Sequence, residues 1–327
     1  MACESDQEKR ALFFGRGNEA LENKAYEQSI QLFTNAIGLD ANFAQAYNNR
    51  GVAKLEFDRP HEAIQDYNHA LLINPDYWDC LHNRAMAYEQ IGNLEKSLWD
   101  YEKLIAHKDS VLYQSARGLI FTTQKKYDKA IAAFEKVLLK NPEDAHAMIN
   151  LAIIDYYQEN HRRAAATLQE ILIKYPEEAN AYNTLNQIYL ELYEWELAYE
   201  AIQKALQLAP TNAYFLNNRG FTLLEMDSLQ KAITDINQSI VLRPDNAWAF
   251  RNKGYYFFKL KDYSQALRYL NQTLEMQADL PEVYFMIGKV YESSGQIELA
   301  CEAWTKSLAN GDKRSNSLLL HACLEKA

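Results

Sequence analysis

Apolar residues in this chain recur three and four apart, as on one face of a helix, and the whole pattern then returns every 34 residues. Let a unit start at Ala145, with its positions numbered from 1. Positions 4, 7, 8 and 11 then share one face of a first helix, and positions 17, 20, 24 and 27 share one face of a second. Position 20 is small in every unit: Ser29, Ala63, Ser97, Ala130, Ala164, Ala198, Ala232, Ala266 and Ala300. Position 8 is small in all but one, running Gly17, Gly51, Ala85, Gly118, Ala152, then Gly220, Gly254 and Gly288, with Asn186 as the exception. Position 24 is always large, from Phe33, Tyr67, Tyr101 and Phe134 to Leu270 and Trp304. Small residues held at fixed places predict two helices that approach too closely for larger side chains. Pro142, Pro176, Pro210 and Pro244 fall at position 32, where they close the second helix because proline cannot continue its hydrogen-bond ladder.

Extended along the chain, this phase places units near Arg10, Ala44, Trp78, Val111, Ala145, Ala179, Ala213, Ala247 and Pro281. The third is one residue short and ends in AHKDSV without a proline, which predicts a tightened joint with Asp109 or Ser110 capping the next helix. Residues 1–9 read as a flexible N-terminus, 10–314 as nine repeats, and 315–327 as a final helix covering the last repeat's apolar face.

The pattern resembles the tetratricopeptide repeat, a helix–turn–helix unit of the same length. The resemblance implies an all-α solenoid, a right-handed superhelix of about nine repeats plus a C-terminal capping helix. It also implies that the first helices line a concave groove through positions 2, 5, 6, 9, 12 and 13. Asn49, Asn83, Asn150, Asn218 and Asn252 all occupy position 6. A side-chain amide donates and accepts at once, so such a row suits an extended peptide backbone. It is similar to the asparagine ladder in the repeat region of O-linked N-acetylglucosamine transferase. Toward the C-terminus the same face turns aromatic, with Tyr214, Phe221, Trp248, Tyr255, Phe258 and Phe285, and Arg251 among them to meet a partner carboxylate. The carboxylate clamp of chaperone-binding members is not reproduced: Asn18 and Asn49 match, but Phe14 and Asp79 stand where cations are needed.

Charge and composition narrow the function. The net charge is −10 with no basic stripe, which argues against nucleic acid. No apolar run is long enough to span a membrane. The GxGxxA spelling at Gly15–Ala20 lies inside a helix rather than after a strand, and the seven histidines make no zinc spacing. No enzyme, cofactor or metal site is expected. Arg50, Arg84 and Arg219 at position 7 match Asp66, Asp100 and Asp235 at position 23 as ion pairs between paired helices, and Asp155 calls for Arg162 or Arg163.

The four cysteines show no metal spacing. Segment 300–323 is similar to the paired-cysteine ending of bacterial cell-envelope members of the family, which implies a Cys301–Cys323 disulfide. MAC-ESDQEK resembles the start of a lipoprotein after its signal peptide, with Cys3 lipidated, although no signal peptide is seen. These resemblances lean toward the cell envelope, with a cytoplasmic protein as the alternative. The function expected is a scaffold that binds a peptide or partner protein in its groove. The alternatives are a targeting or regulatory subunit of a separate enzyme, and an envelope spacer.

Overall fold

One backbone device recurs at every turn between paired helices. Position 15 is left-handed in all nine repeats, at Lys24, Asp58, Gly92, Lys125, Glu159, Tyr193, Asp227, Lys261 and Gly295, with φ from 57° to 79°. The next residue's N–H reaches back to the carbonyl of position 11: Ala25 to Ala20 and Arg59 to Lys54 at 2.8 Å, Gln296 to Tyr291 at 2.9 Å. This is the six-to-one closure that ends a helix and reverses the chain. Only two of the nine are glycine; at each of the others the conformation costs about 1 kcal/mol, so the turn is imposed by packing.

The computed structural model describes residues 5–278 and 280–324. They form helices and turns, with no strand among the described residues. The chain divides into two compact units, Met1–Ile154 and Asp155–Ala327. The N-terminal unit holds α1 (Asp6–Glu22), α2 (Tyr26–Leu39), α3 (Ala44–Glu56), α4 (Pro60–Ile73), α5 (Trp78–Gln90), α6 (Leu94–His107), α7 (Val111–Thr123), α8 (Tyr127–Lys140) and most of α9 (Ala145–Tyr157). The C-terminal unit continues with α10 (His161–Lys174), α11 (Ala179–Glu191), α12 (Trp195–Leu208), α13 (Ala213–Glu225), α14 (Leu229–Leu242), α15 (Ala247–Lys259), α16 (Tyr263–Met276), α17 (Pro281–Ser293) and α18 (Ile297–Ala309). It closes with α19 (Arg314–Leu318) and a π-helical turn over Leu319–Leu324.

Within a repeat the two helices touch where the small positions lie. A Cβ on Gly51 would sit 2.5 Å from the Tyr67 ring, and one on Gly288 would collide with the indole nitrogen of Trp304. Asn186, the misfit at position 8, satisfies its amide nitrogen, which donates to the Ala198 carbonyl (3.0 Å) and to Thr222 Oγ1 (2.7 Å), while its Oδ1 is buried with no partner among the described residues. The three arginine–aspartate pairs close with two bonds each: Arg50–Asp66, Arg84–Asp100 and Arg219–Asp235. Asp155 is held by Arg163. At the short joint Ser110 is the cap, accepting from the Tyr113 N–H at 3.3 Å, while Asp109 binds Gln114 and Lys140.

Two expectations are corrected. The stretch read as a flexible N-terminus is helical from Asp6, because Ser5 and Glu8 form a reciprocal capping box that satisfies two free N–H groups. Residues 1–4 lie outside the described residues. The closing helix is not α-helical throughout: five α-helical residues pass into the π-helical turn, and residues 325–327 lie outside the described residues. A disulfide joins Cys301 to Cys323 across a Cα–Cα distance of 6.0 Å.

Candidate functional site

Five of the expected groove residues, Phe221, Arg251, Tyr255, Phe258 and Phe285, line one cavity of about 350 Å³ in the C-terminal unit. α11 adds Leu190 and Glu191, α13 adds Glu225, and α17 adds Glu282, Met286 and Lys289. Each of these helix residues stands at position 2, 5, 6, 9, 12 or 13 of its repeat. The turn after α11 contributes Tyr193, α12 contributes Trp195, and α19 contributes Arg314.

The aromatic faces fall into two groups. Three already carry a cation from the chain: Arg251 over Phe221 at 4.8 Å, Arg314 over Phe285 at 4.6 Å, and Lys259 over Tyr255 at 5.6 Å. Phe258, Tyr193 and Trp195 carry none among the described residues. Tyr255 and Phe258 stack at 6.3 Å, and Tyr193 meets Trp195 edge-on at 5.4 Å. Tyr193 is 77% exposed and left-handed, so the turn holds an aromatic ring in a conformation that non-glycine residues rarely adopt.

The charges are unevenly matched. Lys289 pairs with Glu292 at 2.6 Å, and Arg314 pairs with Asp312 at 2.6 Å. Arg251 has one hydrogen bond among the described residues, from Nη1 to Asn252 Oδ1 at 2.7 Å, and its Nε is buried without a partner. Burial pulls the guanidinium of Arg251 below its ordinary basicity, against the opposing pull of Glu282. Burial raises the Tyr255 hydroxyl, and the charge and hydrogen bond of Glu225 raise it further. Glu191, Glu225 and Glu282 close no ion pair among the described residues. The lining sets three carboxylates, Glu191, Glu225 and Glu282, against three cations, and two of those cations, Lys289 and Arg314, are shared with Glu292 and Asp312 outside the lining.

The remaining expected groove residues lie elsewhere. Tyr214 is exposed, 5.7 Å from Arg243, and Trp248 is exposed, 6.0 Å from the Arg251 guanidinium; neither lines the cavity. The asparagine row is engaged with the protein itself. Asn83 donates to Asn48 at 3.0 Å, and Asn218 to Asn183 and Asn252 to Asn217 at 2.8 Å, each from position 6 to position 5 of the preceding repeat. Asn49 donates to Asn18 at 2.8 Å. Asn252 is only 2% exposed, so its amide faces the neighbouring helix rather than solvent. Asn150 instead bonds back to the His146 carbonyl of its own helix. These amides join one repeat to the next, a role that sequence reading missed because the acceptors at position 5 belong to a different unit. Glu191, Glu282 and Lys289 are readable from the groove positions once the phase is known. Tyr193, Trp195 and Arg314 lie off that register and carry no such signal.

Cys3 lies outside the described residues. Cys80 is buried, and its thiol is pushed up to about 12 by that burial. No described helix is long and apolar enough to cross a membrane.

Comparison with known proteins bears on the fold. Family models described as tetratricopeptide repeat match residues 44–77, 121–188, 201–234 and 281–309. No curated protein matches the chain. Among solved structures, a chain in the crystal structure of the APC/C hetero-tetramer Cut9–Hcn1 is similar over 96% of this chain and 76% of its own length. The TM-score is 0.64 at 18% identity, a likeness of fold alone.

Proposed function

The chain is a tetratricopeptide-repeat protein, and from that premise we propose that it is a non-catalytic scaffold whose C-terminal cavity takes a Lys or Arg side chain from a partner protein. The observation that carries this reading is one cavity that combines the rings of Phe258, Tyr193 and Trp195, which carry no cation among the described residues, with the carboxylates of Glu191 and Glu282, which close no ion pair among them. A cation between a π face and a carboxylate is attracted by both, and more strongly where water is displaced. The apolar stem of such a side chain suits Leu190 and Met286. The net charge of −10 favours the same partners over distance. The strained placement of Tyr193 is in keeping with a binding role, since local strain clusters at functional sites. The Cut9–Hcn1 structure is of an assembly, and protein partnership is carried over from it only as support for this reading.

Panning a random octapeptide display library on the purified chain tests the proposal. Enriched sequences should share a Lys or Arg beside an apolar residue, and enrichment should vanish on a Phe258→Ala or Glu282→Gln protein. Selection of acidic sequences, or selection indifferent to both variants, would overturn it.

A further inference from the structure

Among the described residues, Arg314 is the one cavity-lining residue supplied by the cap rather than by a repeat. It does there what the proposed guest would do. Its guanidinium lies 4.6 Å over the Phe285 ring, and the carboxylates of Glu282 and Glu191 both act on it. Yet the side chain is 57% exposed, and its ion-pair partner Asp312 is only two residues away, so that bond reaches no further than the turn that leads into the cap.

The cap's own helix, α19, is five residues, too short to hold its shape unaided. Ser315 is buried with its hydroxyl unpartnered, which works against docking. The covalent bond from Cys301 on α18 to Cys323 in the π-helical turn closes a 22-residue separation and confines the segment that carries Arg314. Closing a loop of that size removes much of the freedom that the released segment would gain.

We propose that Arg314 is a built-in competitor for the basic guest, and that the Cys301–Cys323 disulfide is the latch that keeps it in place. The inference rests on the basic-guest reading of the cavity. The latch opens by thiol–disulfide exchange with a dithiol reductant. One reductant thiolate attacks a cysteine sulfur and expels the other cysteine as a thiolate. The second reductant thiol then resolves the mixed disulfide. Two electrons pass to the protein, two protons follow to give Cys301 and Cys323 as thiols, and the reductant leaves as its own disulfide. The cap swings free, the Phe285 face is bared, and Glu191 and Glu282 lose a neighbouring cation.

The test uses the full chain, oxidised or reduced with dithiothreitol, and two readouts. Hydrogen exchange over residues 312–324 should rise steeply on reduction while the repeats stay protected. Maleimide should then label Cys301 and Cys323 but spare the buried Cys80. The second readout is the affinity of a fluorescein-labelled Gly/Ser decapeptide containing Leu-Arg-Leu. Reduction should tighten it about tenfold, and Arg314→Gln should do the same with the disulfide intact. Unchanged exchange on reduction overturns the latch. Freed exchange with no gain in affinity in either the reduced or the Arg314→Gln protein overturns the competitor. A probe that binds no form at all sinks the basic-guest reading and the competitor with it, while exchange still judges the latch.

Discussion

The two units use one repeat and place their aromatic rings differently. In the N-terminal unit the rings sit at position 24, where Phe33, Tyr67, Tyr101 and Phe134 are at most 3% exposed. Phe14 is the lone aromatic at the groove positions of the first four repeats. In the C-terminal unit, position 24 is aliphatic at Leu168, Ile202, Ile236 and Leu270 and aromatic at Trp304, and aromatic residues also appear at positions 5, 9 and 12, as Phe285, Phe221, Tyr255 and Phe258. The first arrangement buries area and makes a stiff seam. The second leaves rings half-buried around a cavity. Position within the repeat, more than aromatic content, therefore separates a packing ring from a binding ring.

The largest effects should come from the buried ion pairs, and they should differ between the units. Asp100 is fully buried, and its partner Arg84 is 13% exposed; in the Asp235 pair, Arg219 is 27% exposed. Removing one partner of a buried pair leaves a stranded charge, at a cost of about 3–5 kcal/mol. Asp100→Ala should fall in that range by urea denaturation. Asp235→Ala should cost clearly less, because water can reach the abandoned guanidinium. Equal costs would show that solvent access does not distinguish the two seams.

Next come the glycines under position 24. A Cβ at Gly51 meets the rigid Tyr67 ring at 2.5 Å, whereas one at Gly254 meets Leu270 at 2.8 Å, an aliphatic chain that can shift rotamer. Overpacking of this kind costs about 1–3 kcal/mol, with Gly51→Ala expected near the top and Gly254→Ala near the bottom. Gly15→Ala, with open space around the new methyl, should instead stabilise α1 by up to about 1 kcal/mol. Thermal melts of the three variants would show whether ring stiffness sets the order.

These seams were legible because steric demand repeats in phase: a small residue at 8 or 20 and a large one at 24 can be read without coordinates. The groove positions were legible for the same reason, and they select the first-helix residues that line the cavity, though not Trp195 on α12 or Arg314 on α19. The left-handed turns were hidden, because Lys24, Lys125, Glu159 and Tyr193 give none of the glycine signal that such a conformation usually leaves. The start of α1 was written as Ser5-x-x-Glu8 but lay ahead of the first repeat, outside the phase used to read the rest. Arg314 depends on how the cap folds back, which no periodicity encodes. Asparagine at position 6 was legible as a row, but its partners were not. Bonds such as Asn252 to Asn217 depend on how one repeat rotates against the next.

The asparagines give the finest comparison between the units. In the C-terminal unit, Asn252 is buried and bridges two repeats, so Asn252→Ala strands the Asn217 carbonyl and should cost about 1–3 kcal/mol. In the N-terminal unit, Asn150 is partly exposed and bonds only to the His146 carbonyl within α9 among the described residues. Asn150→Ala should therefore change stability by less than about 0.5 kcal/mol. The pair separates a structural role from a ligand-holding one. If the row holds a peptide backbone, Asn150 is the member free to do it, and its loss should lower the yield of library panning without moving the melt. If the row joins repeats, Asn150→Ala should be silent in both measurements, while Asn252→Ala lowers the melt. The occupied amides at Asn49, Asn83, Asn218 and Asn252 favour the second outcome, since a group already bonded to its neighbour must give up that bond before it can meet a guest.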